Sequence, residues 1–405
     1  MKLPWKVKQS EEFKSISVLI AVNFVDMIGF MLILPLLPFY ALELKASPSQ
    51  VGWIIAAFSI AQLISAPLWG RVSDRYGRRP ALLIGLLSAA VAYIVFAFAD
   101  SLWLLFVSRF VQGLGGGTTG VAQAYVADTV KTSERAKALG WLSSATSAGV
   151  VVGPLIGSLA VTLGSAAPGL IAASLCLVNA AFMWRWLPES REVHEGPPPP
   201  PRSVWRPAWE VVRHAERPVS QLIWIYGIGM LAFSSLTATL PLFLKEEFHL
   251  TAATYGYVLT YVGLLSVILR VVVLGPVVAR LGERWTMRLG CFALIAGLGL
   301  YPLVHNFWLL LIFVVPLVPL GTALLFPSTT SLISARANRR ELGVTMGVAQ
   351  TFSGVARVIA PIMSTRAFQD LGHGWPFYLA ALLVCLVTWL AFRVNGVPEA
   401  EAAGA

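Results

Sequence analysis

Charged residues are scarce in this chain of 405 residues: Asp, Glu, Lys and Arg make up 12%, against 57% hydrophobic residues. A soluble domain carries about 25% charged residues, and the mean hydropathy of +0.73 instead indicates a protein whose solvent is lipid. Basic residues outnumber acidic ones by 30 to 20. They stand between apolar runs and not on one soluble face, so nucleic-acid binding is not expected.

Cysteine is equally rare. Cys176, Cys291 and Cys385 each fall inside an apolar run, so no disulfide framework is expected and we interpret them as small apolar side chains. The sequence also lacks a nucleophile–base set, a metal-ligand cluster and a phosphate-binding loop. It therefore predicts no enzyme, no cofactor and no metal site.

Long apolar runs are what the chain has in abundance. A bilayer core of about 30 Å requires about twenty apolar residues in a helix that rises 1.5 Å per residue. Twelve such runs predict an all-α membrane protein with twelve transmembrane helices, and the first run is too long for a signal-peptide core. The runs cover residues 16–42, 51–70, 80–99, 102–126, 138–163, 168–187, 219–244, 254–279, 286–304, 307–333, 342–363 and 375–394.

The distribution of Lys and Arg predicts the orientation of these helices. With the N-terminus in the cytoplasm, 24 of the 30 Lys and Arg residues fall in cytoplasmic segments. Cytoplasmic loops carry this excess in membrane proteins. We therefore expect a multi-pass protein of the cell (inner) membrane with both termini in the cytoplasm.

A proline-rich connection divides the chain. Five consecutive prolines occupy 197–201, followed by an amphipathic stretch at 207–217. We predict an N-terminal six-helix bundle at 1–187, a cytoplasmic linker at 188–217 and a C-terminal bundle with a short tail at 218–405. The loop GRVSDRYGRRP at 70–80 has a weaker echo, GPVVARLGERW, at 275–285, which indicates duplicated halves.

The loop at 70–80 resembles motif A, the loop signature of the major facilitator superfamily. The twelve-span plan extends this resemblance over nearly the whole chain and implies two pseudo-symmetric six-helix bundles. The residues that occupy the positions of the motif are Gly70, Asp74, Arg75, Gly77, Arg78, Arg79 and Pro80.

Three further segments resemble the twelve-span drug:proton antiporters of that superfamily, the tetracycline and multidrug efflux type. In the first span the segment is Asp26-Met-Ile-Gly29, and in the fourth span Arg109 with Gln112 and Gly113 resembles motif B. The fifth span resembles the antiporter motif, with Ser158 in place of its last glycine, at Gly149, Gly153, Pro154 and Gly157.

Asp26 is the first candidate for proton coupling. It lies about eight residues into the first span, hence about 12 Å from the cytoplasmic side. A carboxylate is costly to keep charged at this depth, so this acid is expected to be protonated part of the time, as a proton carrier must be. The alternative is a structural Asp bonded to a neighbour such as Asn23.

Arg109 lies about seven residues below the outer end of the fourth span and must face a counter-charge, a carbonyl or water. The resemblance implies that it assists proton exchange near Asp26. Their depths differ by about 8 Å along the membrane normal, so direct pairing is left open. The alternative is an arginine that extends to the outer surface.

Motif A has a topological and a mechanical interpretation. Its arginines fit the positive-inside rule, but that rule requires neither the glycines nor the acid. At a helix end, Asp74 can neutralise Arg78 or accept backbone N–H groups. The resemblance implies that Asp74 and Arg78 form a latch with Asp128 that holds the two halves together in the outward-facing state.

The small residues of the fifth span allow close backbone contact, and Pro154 bends its axis. We expect this helix to pack against its symmetry partner in the other half. Arg270 and Arg357, in spans eight and eleven, have no acid within the spans of the second half and no assigned role. For Arg357, pairing with helix carbonyls and contact with a substrate both remain open.

The resemblance implies a substrate cavity lined by spans one, four, seven and ten. Aromatic and apolar linings suit bulky amphipathic, often cationic, compounds, although residues of these types are equally ordinary in lipid-facing or core positions. The candidates are Asn23, Phe30, Gln123, Tyr226, Phe233, Leu236 and Phe326.

Proton-coupled export of small amphipathic or drug-like molecules by a monomer is the function that these features favour. A symporter or uniporter for a sugar, metabolite or lysolipid with the same fold is the alternative. A membrane sensor or channel ranks third, because neither a ring of charges nor a selectivity filter is present. The acid and histidine of the tetracycline type have no counterpart in the later spans, which argues against tetracycline itself.

Overall fold

A computed structural model of the protein describes residues 4–131, 134–190, 205–338 and 341–394. The prolines at 197–201 lie outside these ranges. Within them the chain is helical and contains no strand. The helices are α1 (Pro4–Ile33), α2 (Leu37–Glu43), α3 (Pro48–Tyr76), α4 (Arg78–Ala97), α5 (Leu102–Gly115), α6 (Thr119–Thr129), α7 (Arg135–Val161), α8 (Ala167–Trp186), α9 (Trp205–Arg213), α10 (Pro218–Phe248), α11 (Ala252–Ile268), α12 (Leu274–Leu300), α13 (Phe307–Leu309), α14 (Leu317–Arg336), α15 (Leu342–Leu371) and α16 (Trp375–Arg393).

Ten helical stretches in the described part of the chain are long and apolar enough to cross a membrane. One of them, Ala252–Leu303, is 52 residues long, about twice what a bilayer requires. It contains two spans, joined where Gly282 leaves the helical region. A further span, α5 with α6, is interrupted by the 3₁₀ turn Gly116–Thr118. The predicted fold of twelve transmembrane helices is confirmed.

The interruption of the fourth span was not predicted from its hydropathy. Glycine is a weak helix former, and four glycines stand at 113 and 115–117. Carbonyl groups released by such a break need partners inside a membrane protein. Side chains of α3 supply them: Gln62 donates to Gly116 (3.0 Å), Ser65 to Gly113 (3.2 Å) and Trp69 to Leu114 (2.5 Å).

The sequence echo between 70–80 and 275–285 extends to the backbone. Gly77 ends α3 with φ 102° and ψ 158°, and Gly282, at the corresponding position of the echo, has φ 74° and ψ 163°. Only glycine adopts such angles without strain. In both loops the chain therefore turns at a glycine with a positive φ angle.

The chain divides into two compact units, Met1–Pro200 with Leu250–Tyr261, and Pro201–His249 with Val262–Ala405. In the first unit, α1 packs on α7 and α8, and α4 packs on α8 and α5. In the second unit, α10 packs on α15 and α16, and α12 packs on α16 and α14. The same pairs of spans thus recur in each unit, as duplicated six-helix bundles require.

Candidate functional site

A buried polar chain crosses the first unit at the level of Arg109, whose exposure is 1%. The guanidinium donates from Nη1 to Oε1 of Gln112, one turn further along α5. Gln112 in turn donates from Nε2 to the Tyr93 hydroxyl on α4, at 2.5 Å. The amide holds Arg109 and Tyr93 in a fixed relation, because buried polar groups without partners are costly.

Two aromatic rings cover the Arg109 guanidinium. Its Cζ lies 4.8 Å from the ring centre of Phe58 on α3 and 5.8 Å from that of Phe30 on α1. The two rings contact each other at 5.0 Å. Such contacts stabilise a desolvated cation by about 2 kcal/mol. Phe30, predicted as a cavity residue, thus lies on this cation.

Asp26 on α1 is an electrostatic neighbour of the cluster. It interacts electrostatically with Tyr93 and with Cys176 of α8, and Tyr93 also interacts with Arg109. No carboxylate among the described residues lies within ion-pair distance of Arg109. Tyr93 therefore interacts with both the acid and the cation, which form no ion pair with each other.

Asn23 bonds to α7 and not to Asp26 in the described contacts. Its Nδ2 donates to Thr146 Oγ1 at 2.6 Å and to the Leu142 carbonyl at 3.3 Å, both on α7. The described contacts therefore do not support an Asp26 held by Asn23. They place Asn23 in the packing of α1 against α7.

The motif A loop is organised around Arg78, which is 7% exposed. Its Nη1 lies 2.8 Å from Asp74 Oδ1, and its Nε lies 2.9 Å from Asp128 Oδ2. Nη1 also donates to Ser73 Oγ at 2.7 Å. Arg78 thus joins the end of α3, the start of α4 and the end of α6. The predicted latch residues Asp74, Arg78 and Asp128 are in contact within the first unit.

Glu189 completes this network and was missed in the sequence. Its Oε1 accepts the backbone N–H of Arg78 at 2.8 Å, and its Oε2 accepts that of Arg79 at 3.0 Å. The carboxylate therefore caps the N-terminus of α4. A Cβ at Gly77 would lie 2.8 Å from Cδ of Glu189. The glycine of the motif is thus required for space as well as for its φ angle.

The remaining motif A residues are less constrained. Arg79 donates from Nη2 to the Trp184 carbonyl, and the exposed Arg75 lies over the Tyr76 ring at 5.3 Å. A Cβ at Gly70 would have no atom of the described residues within 4 Å. The described contacts thus give a structural reason for Gly77 and none for Gly70.

The glycines of the antiporter motif line the face of α7 that packs on α1. No side chain fits at these positions, which is how small residues allow close helix contact. An added Cβ would lie 2.7 Å from Met27 Cβ at Gly149, 2.6 Å from Met31 Cβ at Gly153 and 2.6 Å from the Leu32 carbonyl oxygen at Gly157. The glycine face itself therefore packs on α1. The helix α7 also lies against α11, the eighth span, because an added Cβ at Gly256 would lie 2.4 Å from the Pro154 carbonyl oxygen. Pro154 lies inside α7.

The cavity candidates of the second unit form one aromatic cluster with one exception. Phe326 on α14 contacts Tyr226 at 5.6 Å and Phe233 at 6.2 Å, both edge to face. All three rings are half-buried. Leu236 is 4% exposed, so it belongs to the core and not to an accessible lining. Gln123, in the first unit, is exposed on α6.

The two unassigned arginines differ in their surroundings. Arg270 is exposed and lies in the π-helical turn Leu269–Val273. Arg357 on α15 is half-buried and interacts electrostatically with Tyr226 of the aromatic cluster. Its Nε is buried and has no hydrogen-bond partner among the described residues.

Two solved structures have a similar fold. The human organic anion transporter MFSD10 aligns with a TM-score of 0.69 and 21% identity over 94% of this chain and 99% of that one. The nucleoside transporter NupG aligns with a TM-score of 0.74 and 13% identity over 94% of this chain and 100% of that one. At these identities the likeness concerns the fold.

Relatives with a similar sequence also align with nearly the whole chain. The chain is 26% identical over 399 residues to the class B tetracycline resistance protein of Escherichia coli, covering 96% of this chain and 97% of that protein. It is 29% identical over 380 residues to multidrug resistance protein 1 of Bacillus subtilis, covering 92% and 94% respectively. The family model of the Major Facilitator Superfamily matches residues 19–273 and 222–405. With the twelve spans of its described part and its repeated bundles, this chain belongs to the Major Facilitator Superfamily.

Proposed function

We propose that this protein exports small amphipathic compounds in exchange for protons, by alternating access across the cell membrane. Membership of the superfamily makes it a transporter, and the direction and the coupling are the proposed part. Two relatives of similar length are a tetracycline resistance protein and a multidrug resistance protein. Their likeness favours export over uptake.

The proposal of proton coupling is based on the surroundings of Asp26. The acid is 11 residues from the start of the apolar stretch Ser15–Glu43, about 16 Å along a helix. No ion pair with a described residue holds it in the charged form. An acid at such a depth and without a fixed counter-charge can change its protonation as its surroundings change.

Arg109 supplies the second part of the coupling. A guanidinium keeps its proton, so the cluster retains a constant positive charge next to Tyr93. When the helices move, a change in the distance between Asp26 and this charge favours either the ionised or the neutral acid. Binding and release of a proton then follow the conformational cycle.

The motif A network is the proposed conformational latch. Its described contacts, Asp74–Arg78–Asp128 with Glu189, hold the first unit together at the ends of α3 and α6. We infer that opening and closing of this end during the cycle makes and breaks contacts at the same arginine. The Lys and Arg distribution supports a cytoplasmic position for this loop and for both termini.

Everted membrane vesicles that contain a pH-sensitive dye test the proposal. In vesicles acidified by respiration, addition of an amphipathic compound that the protein transports is expected to release protons from the lumen. Asp26→Asn keeps the size of the side chain and removes its titration, so this release should fall to the background of vesicles without the protein. The same compound should still bind.

Asp100→Asn is the matched control, because Asp100 is an exposed acid in the turn between α4 and α5. It should leave proton release unchanged. Full proton release in Asp26→Asn would refute the assignment of Asp26. Accumulation of compounds without any proton release, across a broad panel, would favour a uniporter instead.

A further inference from the structure

The second unit contains an aromatic surface next to an unpaired cation. Tyr226 and Phe233 are seven residues apart and share one face of α10, and both rings stand edge to face with Phe326 on α14. Each of the three is half-buried, so part of each ring remains accessible. This is the lining that a bulky aromatic ligand requires.

Arg357 supplies the charge. It lies 15 residues after the first residue of α15 and 14 before the last, hence at about the middle of a span about 45 Å long. It is close enough to Tyr226 for electrostatic interaction. Among the residues that the structure describes, no carbonyl or carboxylate accepts a hydrogen bond from its guanidinium, and its Nε is buried without a partner.

An arginine in this position has to be explained. Charged groups at the middle of a membrane span are costly and almost always have a partner. Of the two alternatives open from the sequence, pairing with helix carbonyls is absent from the described contacts. A partner that arrives with the substrate remains, and a guanidinium pairs best with a carboxylate or another planar oxyanion.

Tyr226 supplies a second hydrogen-bond donor next to Arg357. Its hydroxyl accepts a hydrogen bond from Nε2 of Gln350 at 3.5 Å, which leaves the hydroxyl hydrogen available. Gln350 and Arg357 are seven residues apart on α15, so both project toward the same face. An oxyanion at Arg357 can therefore accept from Tyr226 as well, while its ring system contacts Phe326.

We propose that Arg357, Tyr226, Phe233 and Phe326 form a binding subsite for aromatic organic acids, with the acid group on Arg357 and the ring on Phe326. The proposal rests on the proposed function in that it names the class of compound exported. It differs from the expectation of cationic cargo, because the charged group in this subsite is itself a cation.

Equilibrium binding to the purified full-length protein in lipid nanodiscs tests the subsite. The probes are 2-naphthoate, its neutral amide 2-naphthamide and the cation 2-naphthylmethylammonium, which share one ring system. Naphthoate is expected to bind more tightly than the amide by about tenfold to a hundredfold, the strength of a charge-assisted hydrogen bond. The cation should bind no better than the amide.

Variants assign this preference to residues. Arg357→Gln should abolish the difference between naphthoate and naphthamide, while the affinity for naphthamide stays within about threefold of the unmodified protein. Arg357→Lys should retain most of the preference. Phe326→Ala should weaken both probes equally, because it removes ring contact alone.

The matched control is Arg366→Gln, on the same helix α15. Arg366 is exposed and paired with Asp370 at 2.5 Å, so its removal should leave the preference for naphthoate intact. Preference for the amide or the cation, no detectable binding of naphthoate, or a preference for naphthoate that survives Arg357→Gln would each overturn the subsite.

Failure of the subsite and failure of proton coupling have different signatures. Binding of naphthoate needs no proton gradient, so Asp26→Asn should still bind it with the same preference over the amide. If Asp26→Asn binds naphthoate and also retains proton-coupled transport, the subsite stands and the proposed role of Asp26 falls. If naphthoate does not bind while other compounds release protons, the subsite falls and export stands.

Discussion

Replacing Glu189 by alanine removes the side chain that holds the start of α4. Its two carboxylate oxygens accept the N–H groups of Arg78 at 2.8 Å and Arg79 at 3.0 Å. Both groups belong to the first turn of the helix, where no carbonyl of the preceding turn is available. The substitution therefore leaves two donors without their partner and takes one negative charge from a helix N-terminus.

The magnitude follows from these two losses. Removal of a capping side chain costs about 0.5–2 kcal/mol, and removal of a negative charge at a helix N-terminus costs about 0.3–1 kcal/mol. Glu189 is exposed, so water replaces part of what is lost. We expect the local opening free energy of the first turn of α4 to fall by about 1–2 kcal/mol.

Amide hydrogen exchange measures this opening directly in the solubilised full-length protein. A fall of that size corresponds to exchange about five- to thirtyfold faster at Arg78 and Arg79. The control is Glu341→Ala, since Glu341 occupies the N-cap of α15 without a side-chain hydrogen bond. Exchange in the first turn of α15 should change by about twofold or less.

Unchanged exchange at Arg78 and Arg79 in Glu189→Ala would refute the cap. So would an equal acceleration at the start of α15 in the control, because that result would assign the effect to loss of charge at any helix start. Glu189→Gln separates the two contributions. It keeps one acceptor and loses the charge, so its effect should be intermediate.

Two further substitutions test the packing of the first unit. Gly153→Ala should lower the free energy of unfolding by about 1–3 kcal/mol through overpacking against Met31, whereas Gly140→Ala, in open space on the same helix, should change it little in a denaturant titration. Tyr93→Phe leaves the buried Gln112 amide without its acceptor and should cost about 1–3 kcal/mol. Tyr301→Phe is its control, since the Tyr301 hydroxyl makes no hydrogen bond among the described contacts; an equal loss in the two variants would contradict the cluster.

The spans and the loop motif could be predicted from the sequence because their signals are local. Twenty apolar residues in a row satisfy the bilayer wherever they stand in the chain. The clustering of Arg78 with Asp74 is local as well, since residues four apart share a helix face. The grouping with Asp128 came from the resemblance to a family and not from any spacing.

The break in the fourth span shows where local signals stop. A few glycines change the mean hydropathy of a twenty-residue run very little, so hydropathy predicts one continuous span at 102–126. Whether glycine breaks a membrane helix depends on partners for the released carbonyls. Here the partners are α3 side chains about fifty residues earlier, such as Gln62, which donates to Gly116 at a separation of 54 residues.

Glu189 and Tyr93 could not have been selected from the sequence. Each is an ordinary residue near the end or the middle of an apolar run, and its role depends on a partner far along the chain. Glu189 and Arg78 are 111 residues apart, and Tyr93 and Gln112 are 19 apart on different helices. The direction in which a side chain points within a bundle is set by packing, which spacing alone does not determine.

By itself the sequence determined that this protein is a twelve-span membrane protein with a duplicated plan and an acid, Asp26, at membrane depth, because burial in lipid is decided run by run. The tertiary structure decided what surrounds each charge. It gave Tyr93 interactions with both Asp26 and Arg109, and it put Glu189 on the start of α4. It also put Arg357 next to Tyr226, with no acid partner among the described residues. The physical reason is that a charge inside a membrane is stabilised by the groups that lie next to it in space. Which groups those are depends on how helices far apart in the sequence pack together.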